Sequence, residues 1–134
     1  MQKITANFSL AEFENRKKYP DNIAPLSAII CITYGCAILL QPLRYHLGSP
    51  VIITSGYRNA RVNKLVGGVP NSQHLTGGAA DLKFKSAAEF SSAVNFLSSS
   101  PYVDQLLTGN NWLHVSWNPY GVPRHDIRIG YYSK

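Results

Sequence analysis

The sequence predicts a single α+β domain in which helices pack on a small antiparallel or mixed sheet. The length of 134 residues is close to the commonest size of one domain. Segments typical of helices and of strands follow each other along the chain, with no internal repeat, linker or shift in composition. Apolar residues make up 45% of the chain, the average for globular proteins, which argues against disorder. We therefore expect one domain over residues 1–134.

Capping signals locate the first two helices. Ser9 and Glu12 have the spacing of a capping box, which predicts that a short helix begins at Ser9. The main helix is predicted from Leu26 to about Tyr45. Pro42 is expected to kink its last turns, and Gly48 to end it.

Later segments predict two more helices and four strands. Asn59 caps a helix that ends at 67–68, and Ser86 precedes a helix that runs to about Ser98. Residues 51–54 are β-branched and predict a short strand, and three further strands are predicted over 79–84, 102–107 and 112–117. The turn-forming residues 108–111 join the last two strands in a hairpin. We expect the tail, 118–134, to be ordered only where it lies on the sheet.

Cysteine spacing and hydropathy exclude several classes of protein. Cys31 and Cys36 lie five residues apart in an apolar stretch, which predicts buried thiols rather than a disulfide framework or a metal site. Residues 26–40 are apolar, but a membrane span needs roughly 20 residues, so we expect a core helix and no span. The N-terminus lacks the apolar segment of a secretion signal, so we expect synthesis in the cytoplasm without a signal peptide.

The formal net charge of +6 raises the question of nucleic-acid binding. The basic residues are scattered, with Arg16-Lys17-Lys18 as the only run, and no nucleic-acid motif is visible. We therefore expect no nucleic-acid partner.

Two histidines and one aspartate form a candidate metal site. His74 and Asp81 flank a segment of small residues, where the backbone can turn sharply and let both side chains face one point. His114 alternates with apolar neighbours on a predicted strand, so it points to the opposite face from them. Three such ligands with an open fourth position are the usual arrangement of catalytic zinc. The alternative is that these side chains only make hydrogen bonds within the fold.

Three motifs occur in the order that a known enzyme family shows. They are Ser-Gly-Tyr-Arg at 55–58, the pattern S-x-H-x-x-G-x-A-x-D at 72–81, and Trp-Leu-His-Val-Ser around His114. Over residues 8–116 the chain resembles the small single-domain branch of the zinc D-alanyl-D-alanine carboxypeptidase family. This family includes D-Ala-D-Ala dipeptidases of glycopeptide resistance and L-alanyl-D-glutamate endopeptidases of phage lysins. The resemblance implies a fold like that of these peptidases and of the zinc-containing Hedgehog signalling domain.

The resemblance also implies roles for individual residues. It implies that His74, Asp81 and His114 bind one zinc ion per chain. It implies that Arg58 binds the terminal carboxylate of the substrate or steadies the oxyanion of the tetrahedral intermediate, since a guanidinium stays charged and offers paired donors. Without the family, Arg58 could equally be a solvated arginine at a strand end. Ser72 is expected to contact substrate or fix the loop, with a plain turn serine as the alternative.

Other positions resemble the family less completely. Asp104 and Gln105 match a family feature and are expected to support the site rather than to act in catalysis. The family commonly places a carboxylate as general base three residues before the last zinc-binding histidine, and Asn111 stands there in this chain. An amide cannot accept a proton from water. The residues that remain to replace the base, none with the required spacing, are Glu89, Asp104, His125 and Asp126.

Two functions are therefore expected from the sequence. The first is a zinc metallopeptidase that cleaves peptidoglycan stem peptides, as a D-Ala-D-Ala carboxypeptidase or an L-Ala-D-Glu endopeptidase, and that acts on the cell wall after release, as in a phage or prophage lysin. The second is a catalytically impaired, zinc-containing module that binds peptides or the cell wall. In either case we expect a monomer whose positive charge speeds encounter with the anionic wall.

Overall fold

The computed structural model describes residues 3–130, and these form an α+β fold. A mixed five-stranded sheet has the strand order β3-β4-β6-β5-β7, and a short antiparallel hairpin, β1–β2, lies apart from it. The strands are β1 Lys3–Thr5, β2 Phe8–Ser9, β3 Ile52–Ser55, β4 Ala79–Lys83, β5 Gln105–Gly109, β6 Trp112–Ser116 and β7 Asp126–Arg128. The predicted fold class is confirmed. Residues 1, 2 and 131–134 of the predicted domain and tail lie outside the described residues.

The helices begin where the capping signals predicted. They are α1 Leu10–Glu14, α2 Leu26–Gly35, a π-helical segment Cys36–Leu40, α3 Gln41–Leu47, α4 Ala60–Leu65, a 3₁₀ helix Gln73–Thr76 and α5 Ala87–Ser98. The backbone N–H of Ser9 donates to the Glu12 carboxylate at 2.8 Å, which completes the predicted capping box. Asn59 and Ser86 each accept a backbone N–H at the start of their helix. Local hydrogen bonding thus decides these boundaries.

The long helix changes its winding just before Pro42. The π-helical segment Cys36–Leu40 joins α2 to α3 directly before the proline for which the sequence predicted a kink. Proline has no N–H to donate and its ring crowds the carbonyl four residues earlier, so the wider turns of a π segment relieve the contact. Gly48 ends the helix in the left-handed conformation, with φ of 68°, as predicted.

The long helix forms much of the core. At 22 residues it is long and apolar enough to cross a membrane by composition, but half of its most apolar window is buried inside the protein. Cys31, Ile32, Cys36 and Leu39 are each 4% exposed or less. A core helix passes the same composition test as a membrane span, and core packing accounts for these apolar residues. Both cysteines are buried free thiols, as predicted, and burial raises the pKa of the Cys36 thiol to about 12.

The hairpin of β5 and β6 departs from the prediction in its turn. Strand β5 continues to Gly109 and β6 starts at Trp112, so the turn holds only Asn110 and Asn111 rather than the four residues predicted. Asn111 has φ of 57°, a left-handed conformation that asparagine tolerates better than most residues. Within the described part of the tail, β7 lies on the sheet as expected and pairs with β5 in parallel.

Candidate metal centre

The register of two central strands brings Asp81 and His114 together. In the antiparallel pair β4–β6, Asp81 lies directly opposite His114. Side chains at opposite positions share one face of a sheet. Nδ1 of His114 lies 2.9 Å from Oδ1 of Asp81.

His74 reaches the same carboxylate oxygen from the 3₁₀ helix. Its Nε2 lies 3.3 Å from Oδ1 of Asp81, and its Nδ1 lies 2.6 Å from the carbonyl oxygen of Gly56. A carbonyl can only accept a hydrogen bond, so Nδ1 carries the proton and the lone pair of Nε2 faces Asp81. The backbone of Gly56 therefore fixes the tautomer that a metal ligand needs.

The three side chains form a group that fits a zinc ion. Their potential ligand atoms all lie within 4.8 Å of one another, and His74 and Asp81 are each 2% exposed. Two imidazole nitrogens and one carboxylate oxygen are ligands typical of zinc. The structure thus brings together all three residues that the sequence placed in one site. Their binding of zinc stays a prediction.

The protonation states of this group suit metal binding. Burial tends to raise the pKa of the Asp81 carboxyl, but the hydrogen bond from His114 and the proximity of His74 outweigh it and hold that pKa well below its usual range. Burial lowers the pKa of His74, which keeps its imidazole neutral even though Asp81 opposes the effect. The site therefore holds an ionised carboxylate and a neutral imidazole at neutral pH.

Arg58 lies against the same carboxylate and makes three side-chain hydrogen bonds. Its Nη2 donates to Oδ2 of Asp81 at 3.2 Å, its Nε to Oγ of Ser55 at 2.9 Å, and its Nη1 to Oδ1 of Asn63 at 3.2 Å. Arg58 is only 8% exposed, so it is not the solvated strand-end arginine of the alternative interpretation. Since a guanidinium has five N–H donors, two beyond these three are available to a ligand. The predicted contact with substrate stays a prediction.

Asn63 is a partner of Arg58 that the sequence did not reveal. It is 4% exposed, and its Nδ2 donates to the carbonyl oxygen of Val69 at 2.9 Å while its Oδ1 accepts from Arg58. Gly68 packs tightly on this pair, since a Cβ there would lie 2.0 Å from Oδ1 of Asn63 and 2.9 Å from Nη1 of Arg58. An asparagine inside a short helix gives no sequence signal of such a contact, which depends on the return of the chain at Gly68.

A cavity of about 360 Å³ opens beside this group. Its polar and aromatic lining includes Arg58, Asp81, Tyr57, Trp112, Lys18 and Tyr19. Nζ of Lys18 lies 5.5 Å from the centre of the Tyr19 ring, within the range of a cation–π contact. In the sequence, Lys18 stands out only as part of the basic run Arg16-Lys17-Lys18. Nothing in the sequence connects this loop to the metal ligands.

Two segments of the cavity wall, the loop with Lys18 and the turn with Arg58, are joined by the side chain of Asn22. It is 1% exposed, and its Nδ2 donates to the carbonyl oxygens of Glu14 at 2.7 Å and Tyr57 at 2.8 Å. Its Oδ1 accepts the backbone N–H of Asn59 at 2.7 Å. One side chain thus bonds both segments that form this wall of the cavity.

Ser72 and Gln105 are not among the residues that line the cavity. Oγ of Ser72 accepts the backbone N–H of His74 at 3.2 Å, which favours the loop-fixing role over direct substrate contact. Nε2 of Gln105 donates to Asp126 at 2.9 Å, between the paired strands β5 and β7. Its supporting role therefore concerns the tail rather than the metal ligands.

Within residues 3–130, no carboxylate besides that of Asp81 lines the cavity. Asn111 is exposed in its turn. The acidic candidates for a replacement base each make hydrogen bonds elsewhere, with Glu89 bonded to Ser49, Asp104 to Arg124, and Asp126 to Gln105 and Arg128. His125 is also absent from the residues that line the cavity.

The comparison with protein families agrees with this geometry. The peptidase M15 family matches residues 6–116. The chain belongs to the peptidase M15 family. This membership confirms the resemblance drawn from the sequence motifs, and the M15 match includes Arg58 and all three candidate metal ligands. Members of M15 are zinc peptidases, so the family indicates a zinc metallopeptidase with a peptide substrate. No curated protein matches the chain significantly.

Proposed function

We propose that this M15 protein is a zinc metallopeptidase that acts on peptidoglycan stem peptides and cleaves a bond to or between D-amino acids. One observation carries the proposal. The donor atoms of His74, Asp81 and His114 converge within 4.8 Å beside the buried guanidinium of Arg58, and Asp81 and Arg58 both line an open cavity. The arrangement combines a metal-ligand set with a fixed donor for a substrate carboxylate or oxyanion.

The zinc ion and the side chains of the protein would have different roles in the reaction. The two histidines and Asp81 would hold the zinc ion, which would supply the Lewis acidity that polarises a carbonyl and acidifies water. Arg58 orients the substrate, because its guanidinium is held in place by three hydrogen bonds and keeps two N–H groups for a carboxylate or a developing oxyanion. Fixed donors of this kind stabilise charge without having to reorganise during the reaction.

The charges around the cavity favour an anionic substrate. Among the described residues, Arg58 and Lys18 line it together with a single carboxylate, that of Asp81, which is itself a candidate metal ligand. A bound dication would make the cavity more positive still. Stem peptides carry free carboxylates, so this charge distribution supports their entry and orientation.

Digestion of purified muropeptides tests the proposal. Zinc-loaded protein is expected to release terminal D-alanine if it is a carboxypeptidase, or to separate L-alanine from D-glutamate if it is an endopeptidase, and a chelator is expected to stop either reaction. The substitution Arg58→Ala is expected to reduce turnover by about 100-fold while zinc content stays near one per chain. Arg16→Ala, outside the cavity, is the matched control. Purified protein without stoichiometric zinc would contradict the proposal.

A second candidate function is a zinc-containing module that binds peptides or the cell wall without efficient hydrolysis. The observation in its favour is that Asn111 occupies the expected position of the base and that Asp81 is the only acidic residue among the described cavity-lining residues. Equilibrium binding of muropeptides by zinc-loaded protein, with no product detected by mass spectrometry, would decide for this function.

We propose further that the protein acts as a monomer on the cell wall after release from the cell that makes it, as a phage or prophage lysin does. Adding the purified protein to isolated cell walls tests the location of the substrate, and light scattering after size exclusion tests the oligomeric state. Wall turbidity that does not fall, combined with cleavage of soluble muropeptides, would favour a role inside the cell.

A further inference from the structure

The buried carboxylate of Asp104 links the C-terminal tail to the segment that contains His74. Asp104 is 3% exposed. Its Oδ1 accepts the backbone N–H of Arg124 at 2.9 Å, and its Oδ2 accepts Nε at 3.1 Å and Nη2 at 2.8 Å from the same arginine. The backbone N–H of Asp126 also donates to the carbonyl oxygen of Asp104 at 2.9 Å. The segment around Arg124 is therefore held firmly against the start of β5.

Asp104 and Arg124 each form a hydrogen bond with the side-chain amide of Gln73. Nε2 of Gln73 donates to Oδ2 of Asp104 at 3.0 Å, and Oε1 accepts from Nη2 of Arg124 at 3.2 Å. Nε2 also lies 3.4 Å from the carbonyl oxygen of Trp117. Only this orientation of the amide matches donors with acceptors at every contact. Gln73, Asp104 and Arg124 thus form a closed set of hydrogen bonds.

Gln73 directly precedes His74 in a helix that is weak by itself. The 3₁₀ helix Gln73–Thr76 has four residues, and such short helices have poor internal hydrogen-bond geometry. On one side, the His74 ring bonds to Gly56 and the His74 carbonyl accepts the backbone N–H of Arg58 at 3.0 Å. On the other side, the side chain of Gln73 is held by the tail. The position of His74 therefore depends on contacts at both sides of this turn.

We infer that Arg124 is a positioning residue, which holds Gln73 and through it sets the place of His74 in the zinc site. Arg124 lies outside the residues 6–116 that match the family. Its guanidinium suits the role because its planar set of donors can bond Asp104 and Gln73 together, whereas a lysine offers a single point of charge. The inference rests on the proposed zinc site, since it assigns a residue that supports that site.

Metal binding by the whole chain tests the inference without reference to activity. The probes are Zn²⁺, titrated against a competing chelator, and Co²⁺, whose visible spectrum reports ligand geometry. The variants are Arg124→Met and the double substitution Asp104→Asn with Arg124→Met, which leaves no unpaired buried carboxylate. Arg128→Met, which removes another ion pair of the tail, is the matched control. Thermal unfolding of each variant shows that it is folded at the temperature of the titration.

The expected result is that both Arg124 variants bind Zn²⁺ about tenfold more weakly and show an altered Co²⁺ spectrum, while Arg128→Met binds as the unsubstituted protein does. Unchanged affinity and spectrum in both Arg124 variants would overturn the inference alone and leave the zinc site in place. Normal binding by the double variant beside weak binding by Arg124→Met would also overturn it, because the cause would then be the unpaired charge of Asp104. Failure of the unsubstituted protein to bind either metal would overturn the proposed function and this inference with it.

Discussion

Asp81 and His114 face each other across strands β4 and β6, with Oδ1 of the carboxylate 2.9 Å from Nδ1 of the imidazole. Oδ2 of the same carboxylate accepts from Arg58. Asp81 therefore links the candidate metal ligands to the residue proposed to hold the substrate. Its ionised state, maintained by hydrogen bonds despite burial, is the basis of both contacts.

Removing the charge of the Asp81 carboxylate is expected to weaken the binding of the metal. In Asp81→Asn, an amide replaces the anionic ligand, so Zn²⁺ affinity is expected to fall by more than about 100-fold, as measured by chelator competition. Asp126→Asn, which changes a carboxylate outside the cavity, is the control and should bind normally. Equal affinity in the two variants would mean that the metal binds elsewhere.

Gly68 has no room for a side chain. A Cβ in Gly68→Ala would lie 2.0 Å from Oδ1 of Asn63 and 2.9 Å from Nη1 of Arg58, so the pair must shift. We expect the free energy of unfolding to fall by about 1–3 kcal/mol and muropeptide turnover to fall with it. Gly121→Ala is the control, because a Cβ there first meets the flexible side chain of Asn118 at 3.2 Å. A fully stable and active Gly68→Ala protein would show that Arg58 needs no fixed position.

A carboxylate at the position of Asn111 is expected to supply the general base that the family commonly has there. If the cavity lacks a base, Asn111→Glu should raise muropeptide hydrolysis by about 100-fold or more. It should also lower stability by about 1 kcal/mol, because glutamate is strained at a φ of 57°. Asn110→Glu adds the same charge one residue away and should leave hydrolysis unchanged. Rapid hydrolysis by the unsubstituted protein, with no gain in the variant, would indicate that another residue already acts as the base.

Lys18 is expected to contribute to binding of anionic peptides. Replacing it in Lys18→Met removes one positive charge from the cavity lining, so KM for stem peptides with free carboxylates should rise about two- to fivefold with little change in kcat. Lys17→Met removes the neighbouring lysine, which is not among the cavity-lining residues, and should leave KM unchanged. The same rise in both variants would indicate a general effect of charge rather than a contact within the cavity.

The ion pair of Asp104 is expected to make stability depend on pH in acid. Burial tends to raise the pKa of Asp104, but hydrogen bonds from Arg124 outweigh it and lower that pKa below its usual value of 3.8. A carboxyl with a lowered pKa stabilises the fold at pH values above 3.8, and this contribution is lost as the pH falls through the pKa of the folded state. Asp104→Asn should therefore be less stable by about 1–3 kcal/mol at pH 7.

The difference between Asp104→Asn and the unsubstituted protein should shrink as the pH falls below 3.8. Urea unfolding at pH 7 and at successive values below 4 measures it. A difference that stays constant in acid would show that packing, and not the charge of Asp104, accounts for the loss.

The sequence alone determined the parts of this protein that depend on neighbouring residues. Asn59 and Ser86 begin their helices because each accepts a backbone N–H of the next turn, and Ser9 begins one because its own backbone N–H donates to Glu12. Gly48 ends a helix because it accepts a left-handed conformation. The motifs around His74, Asp81 and His114 also led to the family, since their spacing and order are properties of the chain itself.

Only the tertiary structure decided how the candidate site is completed. Alternation along β6 predicts which face His114 occupies, but the register that places it opposite Asp81 depends on pairing between strands more than 30 residues apart. The burial of Arg58 and the return of Arg124 to Gln73 likewise depend on contacts between distant segments. Such contacts leave no periodic pattern in the sequence, because they join side chains that the folded backbone, and not the chain order, brings together.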